Sequence, residues 1–252
     1  MPATPAYPPR SAPRLYVDAE LSEGAEIRLE GSTAHYLLKV MRIREGQPVK
    51  LFENRTGEYL AHVTALGKRD LILMIDGKTR ERENVPDLWL LAAPIKKDRY
   101  HWIAEKATEL GVAKMIPVQT ERTQNNPVKP DKLLAHMIEA AEQCERTALP
   151  ELDPLVKLEA LLESWPTDRH LFFADERIHE SGEGSFRKAL VAHDGPAAIL
   201  IGPEGGFSDS ENAAIRAMPQ SVPVSLGPRI LRADTAAVAA ISLWMAGRGD
   251  WS

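Results

Sequence analysis

Ile201-Gly202-Pro203-Glu204-Gly205-Gly206-Phe207-Ser208 and Leu226-Gly227-Pro228-Arg229-Ile230-Leu231-Arg232-Ala233-Asp234-Thr235-Ala236 decide the fold of this 252-residue chain. Each stretch follows a short apolar run that reads as a strand (residues 197–201 and 222–226). Each precedes a helix pattern, at 208–217 and 233–246. Open parallel sheets bind ligands beyond the carboxyl ends of their strands, so two such loops side by side would form one crevice. The glycines let backbone groups approach a ligand without Cβ obstruction, Pro203 and Pro228 stiffen the loops, and Ile230 and Leu231 supply apolar walls. This chemistry suits a neutral, flat ligand better than a phosphate. Ser208 with Glu211 is a capping box, so the first duty of Ser208 is to start the next helix. The competing reading is that both loops are only tight strand-to-helix turns.

Around these loops, residues 84–252 alternate strand and helix patterns, the signature of an α/β domain with a mostly parallel sheet. Residues 88–93 form a continuous apolar run, as a strand covered on both faces requires. Residues 98–110 read as a helix closed by Gly111, 112–118 as a strand and 130–147 as a long helix. Residues 170–174 add a strand and 184–192 a helix. The preceding region, 14–83, is strand-rich, with short runs at 14–17, 26–29, 48–53, 58–65 and 71–76 and a hairpin connection at 54–57. One helix interrupts it, with Ser32 as candidate cap and Leu37, Leu38 and Met41 at helical spacing. Such a pattern predicts a small β-barrel, joined to the α/β domain by a charged linker at 80–84. Residues 1–13, with five prolines, read as a flexible tail. No internal repeat is visible.

Composition narrows the classes. With 44% hydrophobic and 27% charged residues the chain can bury a core. No apolar run approaches the roughly 18 residues of a membrane span, the N-terminus lacks a signal-peptide pattern, and a single cysteine, Cys144, excludes an internal disulfide. A cytoplasmic protein with no membrane association is expected. The net charge of −5 confines any nucleic-acid binding to local patches. No C-x-x-C or H-E-x-x-H spacing exists, so no metal is expected. Gly77-Lys78-Thr79 has Ile72 where a P-loop needs glycine. Arg187 breaks the G-x-G-x-x-G begun at Gly182, and G-x-S-x-G is missing.

G-P-E-G-G-F-S-x-x-E followed by L-G-x-R-I-L-R-x-[DE]-T-A resembles the RsmE family of 16S ribosomal RNA (uracil-N3)-methyltransferases, of the SPOUT superfamily. The resemblance covers nearly all of the chain after the tail. It includes His35 to Arg42 (H-x-x-x-V-x-R), Lys96 to Arg99 with Lys106-Ala107-Thr108-Glu109-Leu110-Gly111-Val112, Glu121-Arg122-Thr123, and Ala141 to Arg146 with Pro150. It implies a SPOUT-type α/β knot (a C-terminal trefoil knot) after a PUA-like β-barrel, S-adenosyl-L-methionine as cofactor, and a homodimer. It also implies a uridine of the decoding region of 16S rRNA as substrate, methylated at N3 within the small ribosomal subunit. Asp234 departs slightly from the family, where glutamate is more usual.

Methyl transfer to N3 needs in-line placement at about 3–3.5 Å, removal of the N3 proton, and a cation to steady the uracil anion. Arg232 is the candidate cation; the alternative is a structural salt bridge to a neighbour such as Asp234. Glu204 is either the base or a carboxylate orienting its loop through backbone N–H groups. The expected cofactor-binding set is Leu200, Ile201, Gly202, Pro203, Glu204, Gly205, Gly206, Leu226, Gly227, Ile230, Leu231 and Arg232. RNA contacts are expected from Arg10, Arg14, Lys39 and Arg42, and from Lys96, Lys97 and Arg99. Glu142 and Arg146, four apart, read either as a surface ion pair or as a face lining the substrate entrance. Two other functions fit less well: a SPOUT methyltransferase for another RNA, such as transfer RNA or 23S rRNA, and a non-catalytic RNA-binding module.

Overall fold

Leu88, Leu90 and Ala92 alternate with Trp89 and Leu91 along one strand, and the two sets enter different cores. That is the physical content of an uninterrupted apolar run: a strand with helices on both faces has no solvent side. The computed structural model describes residues 9, 12–124, 127–178 and 184–251, with the side chain of Glu176 excepted. Arg10 and most of the expected tail lie outside the described residues.

The chain forms two units, one of Met1–Asn84 with Ala141–Ala148, the other of Val85–Ala140 with Leu149–Ser252. The return of Ala141–Ala148 to the first unit is a feature that reading 84–252 as one domain did not include.

In the first unit, β1 (Arg14–Tyr16), β2 (Glu26–Leu29), β3 (Pro48–Glu53), β4 (Gly57–Leu66) and β5 (Leu71–Glu81) form one sheet in the order β1-β3-β4-β5-β2. The β1–β3 pair is parallel and the others antiparallel. Its core holds Leu15, Leu37, Leu51, Val63 and Leu73. The β3–β4 hairpin is fastened by the buried carboxylate of Glu53, which accepts from the backbone N–H of Arg55 (2.7 Å) and Thr56 (2.5 Å) and from the Thr56 hydroxyl. Strand β5 runs to Glu81, so the linker expected at 80–84 begins inside a strand. Helix α1 (Gly31–His35) starts at Glu30 without a side-chain cap, not at Ser32, and continues as a π-helical turn over Tyr36–Val40. That wider turn shifts the register: Leu37 is buried, but Met41 is exposed rather than facing the core.

In the second unit, β6 (Leu88–Ala92), β7 (Lys114–Gln119), β8 (Glu151–Leu152), β9 (Val156–Lys157), β10 (His170–Ala174), β11 (Ala197–Ile201) and β12 (Ser221–Val224) are all parallel. Their order is β12-β10-β11-β6-β7-β8, with β9 also on β7. The helices are α2 (Lys97–Glu109), α3 (Pro130–Cys144, which from Ala141 on belongs to the first unit), α4 (Leu158–Glu163), α5 (Phe186–Ala192), α6 (Asp209–Ala217) and α7 (Ala233–Arg248). Strands β8 and β9 and helix α4 are too short to leave a periodic pattern and escape the sequence reading. Gly111 follows α2 with φ +90, the left-handed conformation expected of a terminating glycine. The caps of α6 form as the spacing predicts, Ser208 and Glu211 each holding the other's backbone N–H.

Strand order fixes where a ligand can sit. The chain runs β10, β11, β12, yet β12 pairs on the far side of β10 from β11. The direction of sheet growth reverses there, and loops leaving adjacent carboxyl ends part to leave a crevice.

Candidate active site

Ala174, Ile201 and Val224, the carboxyl-terminal residues of β10, β11 and β12, line one cleft of about 260 Å³. The two glycine loops therefore converge. From the first loop the cleft receives Gly202, Pro203, Glu204, Gly206 and Phe207; from the second, Leu226, Gly227, Ile230, Leu231 and Arg232.

Local chemistry sets each loop. Pro203 to Gly206 is a turn in which the Gly206 N–H donates to the Pro203 carbonyl (2.9 Å), with Gly206 at φ +66. The Phe207 ring then tucks under Gly202 and meets the Phe173 ring edge-on, 5.4 Å between centroids. In the second loop Gly227 takes φ +111, and a Cβ there would meet nothing within 4 Å. Among the described residues, the backbone N–H groups of Leu226, Ile230 and Leu231 donate to no group of the chain. Arg232 is the N-cap of α7.

Two expected cofactor residues do not line the cleft. Leu200 is fully buried in the core beneath the opposite face, because alternation along β11 sends Leu200 and Ile201 to different sides. Gly205 turns away, and a Cβ on it would meet the Arg122 side chain at 3.6 Å.

Arg232 is exposed and, among the described residues, makes no ion pair. Asp234, the partner considered for it, instead faces Arg99 (3.8 Å) and accepts from the Thr235 N–H (2.8 Å). Glu204 is exposed and, among the described residues, has no hydrogen-bond or ion-pair partner, so it does not orient its loop.

That task falls to residues which the sequence reading did not assign to the site. Arg122 donates to the Gly205 carbonyl (2.9 Å). Glu211 joins the Glu121 N–H (2.7 Å) to the Ser208 N–H (2.9 Å) with its two oxygens. The Glu121-Arg122-Thr123 triplet thus clamps the first loop from outside. A third loop, after β10, brings Asp175 to the cleft. Its carboxylate is buried, accepts from the Arg177 N–H (3.0 Å) and pairs with Arg216, which also donates to Asn212 Oδ1 (3.0 Å). Residues 170–174 offered only a strand pattern, and nothing local marks the acid that follows.

The expected RNA contacts divide. Lys39, Arg42, Lys96 and Lys97 are exposed, and Arg99 is half-exposed. Arg42 takes φ +52 just after the π turn. Arg14 is a correction. Its side chain is 6% exposed and is used up inside the first unit, on Glu58 (2.6 Å) and on the carbonyls of Ala141 and Arg146 (2.7 Å each), with the guanidinium over the Phe52 ring. Glu142 and Arg146 are corrected with it. Helix α3 ends at Cys144 and Glu145 takes φ +63, so Arg146 is beyond the helix and off the presumed face. Glu142 accepts from the Tyr16 N–H (3.0 Å), and Arg146 is buried beside Glu83 (3.6 Å). All three residues hold the returning segment to the strands.

A parallel sheet with glycine loops at its switch point, in a chain that also carries a separate five-stranded unit, has clear relatives. Residues 81–245 match the family described as RNA methyltransferase domain, and residues 29–76 match RNA methyltransferase PUA domain. The fold is the α/β SPOUT type with an N-terminal PUA-like domain. A ribosomal RNA small subunit methyltransferase E of Rickettsia conorii is 31% identical over 91% of this chain and 93% of its own length. A Legionella pneumophila protein, solved with bound SAM, has 29% identity and a TM-score of 0.85, covering 95% of this chain and 99% of that one. A ribosomal RNA small subunit methyltransferase E of Neisseria gonorrhoeae, bound to S-adenosyl methionine, has 29% identity and a TM-score of 0.80 over 96% and 100%. The chain belongs to this ribosomal RNA small subunit methyltransferase E (RsmE) family.

Proposed function

We propose that the protein methylates N3 of a uridine in the decoding region of 16S rRNA, within the small ribosomal subunit, with S-adenosyl-L-methionine as methyl donor. The observation that carries this reading is the convergence of the two glycine loops on one cleft at the switch point.

The residues fit the donor. Backbone N–H groups of Leu226, Ile230 and Leu231 are available to the edge of an adenine, the open face of Gly227 admits it, and Leu226, Ile230 and Leu231 supply apolar contact. When bound, S-adenosylmethionine supplies an electrophilic methyl group. The chain must then orient uracil and remove the N3 proton. Two carboxylates line the cleft, and Asp175 is committed to Arg216 and the Arg177 N–H. Glu204 is uncommitted and takes the proton in this scheme, while the fork of Arg232 steadies the negative charge spreading onto the uracil carbonyls.

The remaining partners follow from surfaces. Lys39 and Arg42 of the first unit, and Lys96, Lys97 and Arg99 of the second, meet RNA phosphates. A homodimer is supported by Trp102 on α2 and Leu243 on α7, which are 39% and 43% exposed on two helices packed together. Among the described residues no helix is long and apolar enough to cross a membrane. The single cysteine fits a cytoplasmic site of action.

The test has two parts. Calorimetric titration with S-adenosylmethionine must give saturable binding. Incubation with undermethylated small subunits and labelled donor, followed by nuclease mapping, must place one methyl group on N3 of a single 16S uridine. Labelling of transfer RNA or 23S rRNA in its place would refute the substrate assignment.

A further inference from the structure

A second cavity of about 260 Å³ lies in the α/β unit, between the start of α2 and the segment entering α3. Its floor is apolar and rigid. Ile95, Tyr100 and Leu133 are buried, and the Tyr100 hydroxyl is fixed by donating to the Ala92 carbonyl (3.1 Å). Its rim is basic. Lys97, Lys129 and Lys132 line it with His101, and no carboxylate does. The three lysines are exposed, and among the described residues none is in an ion pair. In a chain of net charge −5, three lysines with no ion pair among the described residues line this one hollow, while Asp98, Glu105 and Asp131 stand outside its lining.

The occupant's chemistry follows from this pairing of floor and rim. An apolar peptide has no use for the lysines, and inorganic phosphate has none for the floor. A nucleotide uses both, with its base against the apolar surface and its phosphates on the ammonium groups. His101 adds a polar edge. Burial holds its imidazole below the ordinary value, with the nearby His136 and Lys97 acting in the same direction and outweighing the opposing pull of Asp98 and Glu105. It is therefore neutral at pH 7, with one donor and one acceptor. His136 backs the ring at 4.4 Å between centroids and is itself bonded to Glu105 (2.8 Å).

We propose that this cavity is a second nucleotide site, which holds an unpaired nucleotide of the RNA substrate other than the uridine to be methylated. It rests on the reading that the chain acts on RNA. The cavity lies outside the glycine-loop cleft, and Lys97 is the one residue already expected to touch phosphate.

The experiment uses the full-length protein and a fluorescein-labelled uridine decamer, with affinity measured by anisotropy across a salt series. Lys129→Gln/Lys132→Gln removes two exposed charges that support no internal contact. Each lost phosphate contact lowers the salt slope for single strands by about 0.7, so the double variant should lose about 1.4, or about 25-fold in affinity at 0.1 M salt. S-adenosylmethionine affinity, titrated in parallel, should not change. Lys68→Gln/Arg69→Gln, exposed in the β4–β5 turn, is the control for non-local charge and should leave the decamer affinity within twofold. Uridine 5′-monophosphate should compete with the decamer for the wild-type protein and lose that ability in the Lys129/Lys132 variant.

The proposal is overturned if the slope and affinity are unchanged, or if the control loses as much. It is also overturned if the variant keeps its RNA affinity but changes its oligomeric state, which would make the hollow a contact between copies. Failure of the donor titration in the wild type would instead refute the methyltransferase reading. The two failures are therefore distinguishable.

Discussion

Replacing Gly202 with alanine sets one methyl group against the Phe207 ring. A Cβ at that position would lie 2.9 Å from Cε2, 3.1 Å from Cζ and 3.3 Å from Cδ2 of Phe207. Carbon atoms in contact prefer about 3.5–4.0 Å, so the ring must retreat by more than half an ångström (roughly 0.6 Å). It has nowhere easy to go: Phe207 is 7% exposed and its ring meets that of the fully buried Phe173. Overpacking of this kind costs about 1–3 kcal/mol. In a chain of this size that lowers the melting temperature by roughly 3–10 °C. Gly202 itself does not have a left-handed φ, so backbone strain adds nothing and the cost is steric.

The double variant isolates that term. Phe207→Leu alone opens a small cavity and destabilises. Combined with Gly202→Ala it should give back part of the loss, with a coupling of at least about 1 kcal/mol. Thermal melts and urea titrations of the four proteins measure it, and titration with S-adenosylmethionine shows whether the cleft recovers with the fold. Additivity within about 0.5 kcal/mol, or a wild-type melting temperature for Gly202→Ala, would refute the tight packing of the Phe207 ring beneath Gly202.

Two further outcomes are expected, one at the cleft and one in the β3–β4 hairpin. Arg232→Ala should lower kcat by about 10²–10³-fold while the donor's Kd moves less than about threefold (roughly 0.7 kcal/mol), with Arg232→Lys restoring part of the rate; a Kd that rises in step with the loss of kcat would make Arg232 a cofactor residue only. For Glu53, burial alone would raise the carboxyl pKa, but hydrogen bonds from the Thr56 side chain and from the Arg55 and Thr56 backbone outweigh it and hold the group below its ordinary value. Its contribution is therefore present above the unfolded carboxylate value of about 4.3 and is lost as pH falls through the lower folded value. Glu53→Gln should destabilise the first unit by about 1–3 kcal/mol at pH 7 and flatten the acid limb of its stability curve; wild-type and variant curves that stay parallel from pH 7 to 3 would contradict this.

Local signals carried much of the fold. The strand at 88–92 was legible because burial on both faces writes an unbroken apolar run. The start of α6 was legible because a capping box is a contact between near neighbours in sequence, Ser208 and Glu211. Gly111 and Gly202 to Gly206 were legible because turns and close approach demand glycine. These are short-range constraints, and the chain satisfies them wherever the segment lies in space.

What stayed hidden depends on which segments meet. Arg14 and Arg146 look like surface cations in sequence, and only the return of Ala141–Ala148 to the first unit buries them. Nothing near Asp175 marks it; it reaches the cleft because β10 is seated between β11 and β12. The clamp from Arg122 to Gly205 spans 83 positions, and no local pattern encodes a bond of that separation. The longer strands and helices, the glycine loops and the family were written in local pattern, while β8, β9, α4 and the π turn after α1 were not. The tertiary structure alone decided which charges face solvent and which are consumed as internal partners, because desolvation and pairing are set by neighbours in space rather than along the chain.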